Sequence, residues 1–200
     1  MATVTVNNTP TSTMPYAQEL ADIPALQVQN TSLHDEYVNL TADSLSITTD
    51  GPLFINSGTG NDTVIDNSKT PGDVVIDPGG GTNTIQASSN PTSHDTIIVD
   101  AEADAPLTDV ITGLKAGDGV VIKGLTALSP NDFTNATVGA LQGLMLTTHL
   151  PAATSPAAQT FLSGYTTSDL TAGGRLSVTP FTPPSSMPEA SPYLLLQVVR

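Results

Sequence analysis

The chain has no cysteine and no tryptophan, and only five of its 200 residues are lysine or arginine. The absence of cysteine excludes disulfide bonds, thiolate zinc sites and a cysteine nucleophile. Aromatic residues are only 4% of the chain, which leaves little material for a surface on which sugars or bases would stack. No segment approaches the roughly 18 consecutive apolar residues of a membrane-spanning helix, so we expect no membrane insertion.

The charge of the chain is strongly negative. Nineteen acidic residues give a formal net charge of −14. Nucleic acid and anionic membrane surfaces are therefore poor partners, because binding to phosphates requires clusters of Lys and Arg. Fifteen of the acids are aspartate, which favours turns. Together with 16 glycines and 16 prolines, this composition predicts a turn-rich, all-β protein.

The amino-terminal stretch MATVTVNNTPTSTMPYAQEL contains neither a basic region nor an apolar core. A secretory signal peptide requires both, so we expect no cleavable leader. The Thr-Val alternation at its start predicts a short edge strand followed by an extended arm. We expect residues 1–40 to form this arm and a cap over the end of the following sheets, since an uncovered end would expose unpaired strand edges.

Three segments in the middle of the chain share a small turn followed by Asp or Asn, Thr and β-branched residues. They are SGTGNDTVI (Ser57–Ile65), PGGGTNTIQ (Pro78–Gln86) and TSHDTIIVD (Thr92–Asp100). The first fits the pattern Gly-Gly-x-Gly-x-Asp-x-apolar-x at every position except its first residue. The second has Pro78 and Asn83 in place of a Gly and the Asp, and the third keeps only the part that begins at the Asp.

The spacing of apolar residues predicts how these turns are arranged. Apolar anchors step along the chain by 10, 11, 10 and 12 residues, at Phe54, Val64, Val75, Ile85 and Ile97. Two such half-turns make one coil, and their combined length matches the step from the start of the first glycine-rich turn to the start of the second. We therefore expect these two turns to stack on the same side of a coil.

The glycine-rich turns resemble those of the repeats-in-toxin (RTX) family, over roughly 45 of the 200 residues. The segment Thr108–Leu125, two short apolar runs around Ala116-Gly117-Asp118-Gly119, is similar to the flank that follows such repeats. The resemblance implies a parallel β-roll that binds Ca²⁺, which takes six to eight oxygen ligands. The implied ligands are Gly58, Gly60 and Asp62 on one turn and Gly79, Gly81 and Asn83 on the next. The alternative is a calcium-free coil in which the glycines only turn corners.

These observations predict an all-β fold: a short parallel β-roll or β-helix coil over 41–125, capped at its amino end. A carboxyl-terminal antiparallel β module is expected over 126–200, with a boundary near 126–128. Ser129 followed by Pro130 predicts a helix start, with the helix ending near Gly139 or Gly143. Strands are predicted at 144–150, 159–162, 175–181 and 193–199.

Candidate catalytic groups are few, and we expect no enzyme. The histidines lie far apart in sequence and lack ligand spacing: His34, His94 and His149. A polysaccharide lyase or a glycosidase built on a β-helix would need a base or two facing carboxylates. The bases available near the coil are Lys69, Lys115 and Lys123, and the carboxylates that would face one groove are Asp66, Asp73 and Asp77.

The sequence therefore favours a non-enzymatic structural subunit of an exterior assembly, on a virion as a spike or decoration protein or in a cell-surface layer. Its partners would be neighbouring subunits, most simply copies of itself, with a cell-surface receptor or glycan as a further candidate. The alternative is an RTX-type cargo or secretion module exported by a one-step bacterial system. A polysaccharide-active β-helix enzyme is the third hypothesis.

Overall fold

The computed structural model describes residues 2–6, 36–38, 45–49, 53–57, 61–67, 72–100, 107–123, 132–148, 158–181 and 193–200. All structural statements below refer to these ranges. The predicted arm and most of the predicted cap, residues 7–35, lie outside them.

The described residues confirm the predicted all-β class, because their regular structure consists of strands and one short 3-10 helix, Thr167–Leu170. The strands are, in chain order, β1 (Ala2–Val6), β2 (Glu36–Val38), β3 (Leu45–Thr49), β4 (Leu53–Asn56), β5 (Thr63–Asp66), β6 (Gly72–Asp77), β7 (Thr82–Gln86), β8 (Ser93–Asp100), β9 (Leu107–Thr112), β10 (Gly119–Lys123), β11 (Phe133–Val138), β12 (Leu141–Thr148), β13 (Ala158–Ser163), β14 (Leu176–Phe181) and β15 (Tyr193–Val198). They form two mixed sheets.

The first sheet has the strand order β1-β3-β5-β7-β9-β13-β12-β11, and the second has the order β14-β15-β10-β8-β6-β4-β2. From β1 to β10, consecutive strands therefore alternate between the two sheets. Each strand from β1 to β8 pairs in parallel with the strand two places further along the chain. Val64 pairs with Ile85 and Phe54 with Val75, so both of these steps have the predicted length of one coil.

In the second sheet, the predicted anchors Val75 and Ile97 are not paired with each other, and their register differs from the prediction by one residue. Val75 pairs with Thr96, and Ile97 pairs instead with Ile76. Ile76 and Ile97 belong to the common hydrophobic core, whereas Val75 is buried outside that cluster. Because side chains alternate between the two faces of a strand, a displacement of one residue exchanges the inward and outward sets.

The core joins residues from both sheets in a single cluster. In β4 to β10 these residues are β-branched, which suits the pleated surface of a strand. The core side chains of β4 to β10 are Ile55, Val64, Val74, Ile76, Ile85, Ile97, Val99, Ile111, Val120 and Ile122. Aromatic and leucine side chains of the later strands complete the cluster.

The strands beyond β10 extend the same two sheets. β13 pairs in parallel with β9 and continues into the antiparallel strands β12 and β11. β15 pairs antiparallel with β10 and is followed by antiparallel β14. Antiparallel pairing in this region agrees with the prediction, and the predicted boundary near 126–128 lies outside the described residues.

The predicted helix from Ser129 to Gly139 or Gly143 is wrong over its described part, which forms the hairpin of β11 and β12. Val138 pairs with Leu141 across a two-residue loop, and Gly139 has a positive φ of 59°. A glycine in this conformation is typical of tight hairpin turns, and the preceding Thr-Asn-Ala-Thr-Val favours a strand. The Ser-Pro signal was therefore outweighed by the residues that follow it.

The segment around Asp118 has the expected strands on either side of its Gly-Asp turn. Of these strands, β9 lies in the first sheet and β10 in the second. Gly117, with a φ of 95°, therefore helps to carry the chain from one sheet to the other.

Candidate functional site

The first residues of the two glycine-rich turns, Ser57 and Pro78, lie together in one corner, at the ends of β4 and β6 of the second sheet. Ser57 follows β4, and its backbone N–H donates to the carbonyl of Asp77 at 3.1 Å. The Ser57 hydroxyl donates to the carbonyl of Pro78, 21 residues later, at 3.2 Å. These contacts join the first turn to the second one coil further along.

Four of the six predicted calcium ligands are described by the structure. Gly79 and Gly81 have positive φ angles of 66° and 107°, which glycine adopts without steric penalty. The N–H of Gly79 donates to the Asp77 carboxylate at 3.0 Å and closes the turn. Gly58 and Gly60 lie outside the described residues.

The other two predicted ligands, Asp62 and Asn83, lie side by side with a third residue, Asp109. We call these three residues the corner row. The Asp62 N–H donates to Asn83 Oδ1 at 3.0 Å, and Asn83 Nδ2 donates to Asp109 Oδ1 at 2.9 Å. Each of the three side chains is at most 1% exposed, so the corner row is shielded from solvent.

Burial strongly affects the carboxyl group of Asp109. Loss of hydration raises the pKa of Asp109 to about 7, and the hydrogen bond from Asn83 opposes this rise only in part. Asp109 Oδ2 is buried and accepts no hydrogen bond within the described ranges. A buried carboxylate oxygen without a donor is unfavourable unless a proton or a cation neutralises it.

Asp109 was missed by sequence reasoning because the coil that contains it is longer than the preceding one. Asn83 pairs with Asp109, 26 residues later, whereas Asp62 and Asn83 are 21 residues apart. A local signal does exist: an Asp or Asn stands two positions before a core residue in Asp62-Thr-Val, Asn83-Thr-Ile and Asp109-Val-Ile. This shorter pattern includes all three residues of the corner row without the glycines, and it also matches Asp95 and Asp118.

The corner row provides only carboxylate and carboxamide groups, and Asn83 lies between the two aspartates. The adjoining turn has glycines with positive φ at positions 79 and 81. Oxygen-rich sets of this kind suit Ca²⁺, which is flexible in coordination number and geometry. The unsatisfied Asp109 oxygen fits such an ion, so the residues present are compatible with the implied metal.

The groups considered for catalysis lie apart from one another. Asp66 is buried at the end of β5 in the first sheet, whereas Asp73 and Asp77 lie near opposite ends of β6 in the second sheet. Lys115 forms an ion pair with Asp118 at 2.9 Å. Three further candidates lie outside the described residues: His34, Lys69 and His149.

In the described part of the chain, no three or more acidic or histidine side chains are grouped so that they could hold a metal ion. The same ranges contain no helix with the length and hydrophobicity needed to traverse a bilayer. No protein-family model matches the sequence, and no curated protein or solved structure is significantly similar to it.

Proposed function

We propose that the chain is a non-enzymatic structural subunit of an exterior assembly, built on a calcium-stabilised β-roll. The observation that carries this proposal is the buried corner row of Asp62, Asn83 and Asp109. Its setting would be the exterior of a virion, as a spike or decoration protein, or a cell-surface layer.

The proposed ion is Ca²⁺, held by the carboxylates of Asp62 and Asp109. Asn83 and carbonyls of the glycine-rich turns, Gly79 and Gly81 among them, would add further oxygens. When bound, the ion would supply two positive charges to a place where two carboxylates are buried on either side of Asn83. Since ligands that bind only the folded state stabilise it, calcium would then favour folding outside the cell, where this ion is abundant.

The hydrogen bonds of the polar side chains in this corner support a structural role. The Asn83 side chain connects Asp62 of one coil to Asp109 of another, and Asn61 Oδ1 accepts the N–H of Thr82 at 2.8 Å. These side chains hold adjacent coils in register. The high negative charge of the chain is also consistent with a solvated exterior surface.

An RTX-type export cargo is the second candidate, because calcium-coupled folding would serve it equally well. The packing of Tyr193–Val198 in the fold makes this candidate the less well supported of the two. Residues Tyr193–Val198 form β15, which lies between β10 and β14 and contributes buried side chains to the core. This segment therefore has a structural task besides any role in export.

Thermal unfolding followed by circular dichroism tests the calcium site. We expect chelation to lower the Tm of the wild type and CaCl₂ to restore it. Asp62→Asn and Asp109→Asn should each lose most of this calcium-dependent increment. Asp169→Asn, which removes a carboxylate of the 3-10 helix Thr167–Leu170 and none of the corner row, should retain it. A wild-type Tm that is the same in chelator and in calcium would refute the calcium-stabilised coil.

Light scattering coupled to size-exclusion chromatography tests the structural role separately. We expect the calcium-loaded protein to form a defined homo-oligomer whose mass stays constant on dilution into the micromolar range. A protein that is monomeric at every concentration, with calcium bound, would argue against a self-assembling subunit while leaving the metal site intact.

A further inference from the structure

A second buried acidic group lies in the opposite corner, where the chain passes from the first sheet to the second. Asp66 is the last residue of β5, Asp95 lies near the start of β8, and Asp118 immediately precedes β10. Their exposed fractions are 1%, 0% and 0%. None of the three belongs to the glycine-rich turns.

One of these carboxylates is fully engaged. Asp118 Oδ1 accepts the N–H of Asp95 at 3.0 Å and Lys115 Nζ at 2.9 Å. Its other oxygen accepts the backbone N–H of Lys115 at 2.8 Å and Nζ at 3.2 Å. Lys115 is therefore the internal counter-ion of Asp118.

The carboxylate of Asp95 is placed differently. Its Oδ2 accepts the N–H of Ser88 at 2.5 Å, whereas its Oδ1 is buried and accepts no hydrogen bond from the described residues. Asp66 lies within hydrogen-bonding reach of Asp95. Two ionised carboxylates this close in a buried site repel each other strongly, and a proton or a metal cation beside Asp95 Oδ1 would relieve this repulsion.

Burial, followed by the negative charge of Asp66, raises the pKa of Asp95 well above its ordinary value. Without a metal, the pair therefore holds a proton near neutral pH, and the repulsion develops as the pH rises through the raised pKa of Asp95. A single shared proton would neutralise one of the two charges, and a divalent cation would neutralise both.

We propose that Asp66 and Asp95 form a second cation site, which binds a hard divalent ion of the Ca²⁺ class in the opposite corner. The pair falls short of a three-carboxylate cluster because Lys115 holds Asp118, so the remaining ligands are backbone carbonyls and water. Few charged ligands make a low-affinity site, of the kind suited to about millimolar calcium. This site uses no residue of the corner row and does not depend on it.

The test is the full-length protein, first treated with chelator and then titrated with CaCl₂. Isothermal titration calorimetry counts the bound ions, and circular dichroism gives the Tm. Asp95→Asn is the matched substitution, since the carboxamide still accepts the Ser88 N–H and offers an N–H to Asp66. We expect this variant to bind one calcium fewer than the wild type and to lose the smaller share of the calcium-dependent Tm increment, in keeping with the lower affinity of the site.

The same variant separates metal binding from simple loss of structure. In chelator above pH 7, Asp95→Asn should melt at or above the wild-type temperature, because the repulsion between the two carboxylates is removed. In saturating calcium it should melt below the wild type. Calcium binding by Asp95→Asn that equals the wild type in stoichiometry and in Tm increment would overturn the proposal.

Asp62→Asn distinguishes this proposal from that of the corner row. Calcium bound to Asp62→Asn, and lost on adding Asp66→Asn, supports the opposite-corner site even if the glycine-rich corner binds no metal. Absence of any bound calcium in Asp62→Asn at millimolar concentration overturns it, whether or not Asp95→Asn folds. A wild type that responds to pH and not to calcium would assign a shared proton to the pair and would equally overturn it.

Discussion

Asparagine and aspartate side chains in this protein bind to the backbone of the neighbouring coil. Asn61 accepts the N–H of Thr82, Asn83 accepts the N–H of Asp62, and Asp118 accepts the N–H of Asp95. Such residues usually favour turns because their side chains compete for backbone hydrogen bonds. Here these side chains accept backbone N–H groups from segments one full repeat away in the chain, and the hydrogen bonds fix the relative positions of the segments.

Asn83→Ala should be the most damaging small substitution in the corner row. It leaves the Asp62 N–H and an Asp109 oxygen buried without their present partners, at a loss of roughly 2–4 kcal/mol in the free energy of unfolding. Urea denaturation measures this loss. Thr84→Ala, at an exposed position of the same strand, is the control and should lose less than about 1 kcal/mol. Equal losses would show that the carboxamide bonds are unimportant.

Asn83→Asp should separate metal binding from stability. A third carboxylate in the corner row adds repulsion, so the metal-free variant should be less stable than the wild type. The added charge should also tighten calcium binding by about tenfold, or about 1.4 kcal/mol. Calorimetry at matched ionic strength gives the dissociation constant. A weaker or unchanged affinity would count against the corner row as the ligand set.

The stability of the metal-free protein should fall as the pH rises. Burial raises the pKa of folded Asp109 from 3.8 to about 7, so between these values the folded state holds a proton that the unfolded state has lost. The resulting stabilisation is complete below pH 3.8 and is lost as the pH passes about 7, with a total of up to about 4 kcal/mol. The raised pKa of Asp95 acts in the same direction.

Asp109→Asn should flatten this profile. Urea denaturation in chelator at several pH values between 4 and 8 provides the measurement for both proteins. Asp132→Asn serves as the control, since it removes a carboxylate outside both corners and should leave the wild-type slope. A wild-type profile whose stability increases over this range would contradict the assigned environment of Asp109.

At the level of the strands, glycine at one position is required by close packing. A Cβ atom at Gly143 in β12 would collide with the carbonyl oxygen of Leu162 and lie 2.5 Å from the Phe161 ring. Gly143→Ala should therefore destabilise the protein by roughly 2–3 kcal/mol, since the backbone must shift. Gly119→Ala, whose nearest neighbour is the flexible Leu195 side chain at 3.3 Å, should have a smaller effect. The Tm values of the two variants, measured by thermal unfolding, test this prediction.

The strands themselves were largely predictable, but the inward face of the second sheet was not. The runs Val74-Val75-Ile76 and Val120-Val121-Ile122 are buried on both faces of their strands. Alternation of apolar and polar residues is then absent, and the sequence does not indicate which residues point inward. In β7, where exposed and buried residues alternate, the predicted anchor Ile85 was correct.

The arrangement of the buried acidic residues was also only partly predictable from the sequence. The predicted step of one coil correctly placed Asn83 beside Asp62, because short turns of similar length connect the strands in that region. Asp109 escaped detection because the next coil is longer, and loop length is poorly constrained by sequence. Asp66 and Asp95 lie on different sheets, so their proximity follows from the three-dimensional path of the chain alone.

On the scale of the whole molecule, the later strands cover edges that the coil would otherwise expose. β13 covers β9, and β15 covers β10. We expect a fragment of residues 1–125 to associate or aggregate, because the exposed strands would present unpaired backbone groups and apolar side chains. Light scattering on the fragment gives the measurement. A monodisperse, cooperatively folded monomer would instead support an independent coil domain.

The two ends of the sheets differ in the direction of strand pairing. β1 and β2 end the sheets on one side through parallel pairs, whereas β11 and β14 end them on the other through antiparallel pairs. If two copies of the chain pair through like ends about a two-fold axis, each edge strand runs antiparallel to the same strand of the other copy. Such an assembly closes as a dimer. Joining unlike ends repeats without closure and yields a filament. Which ends meet thus determines whether growth is finite or unlimited.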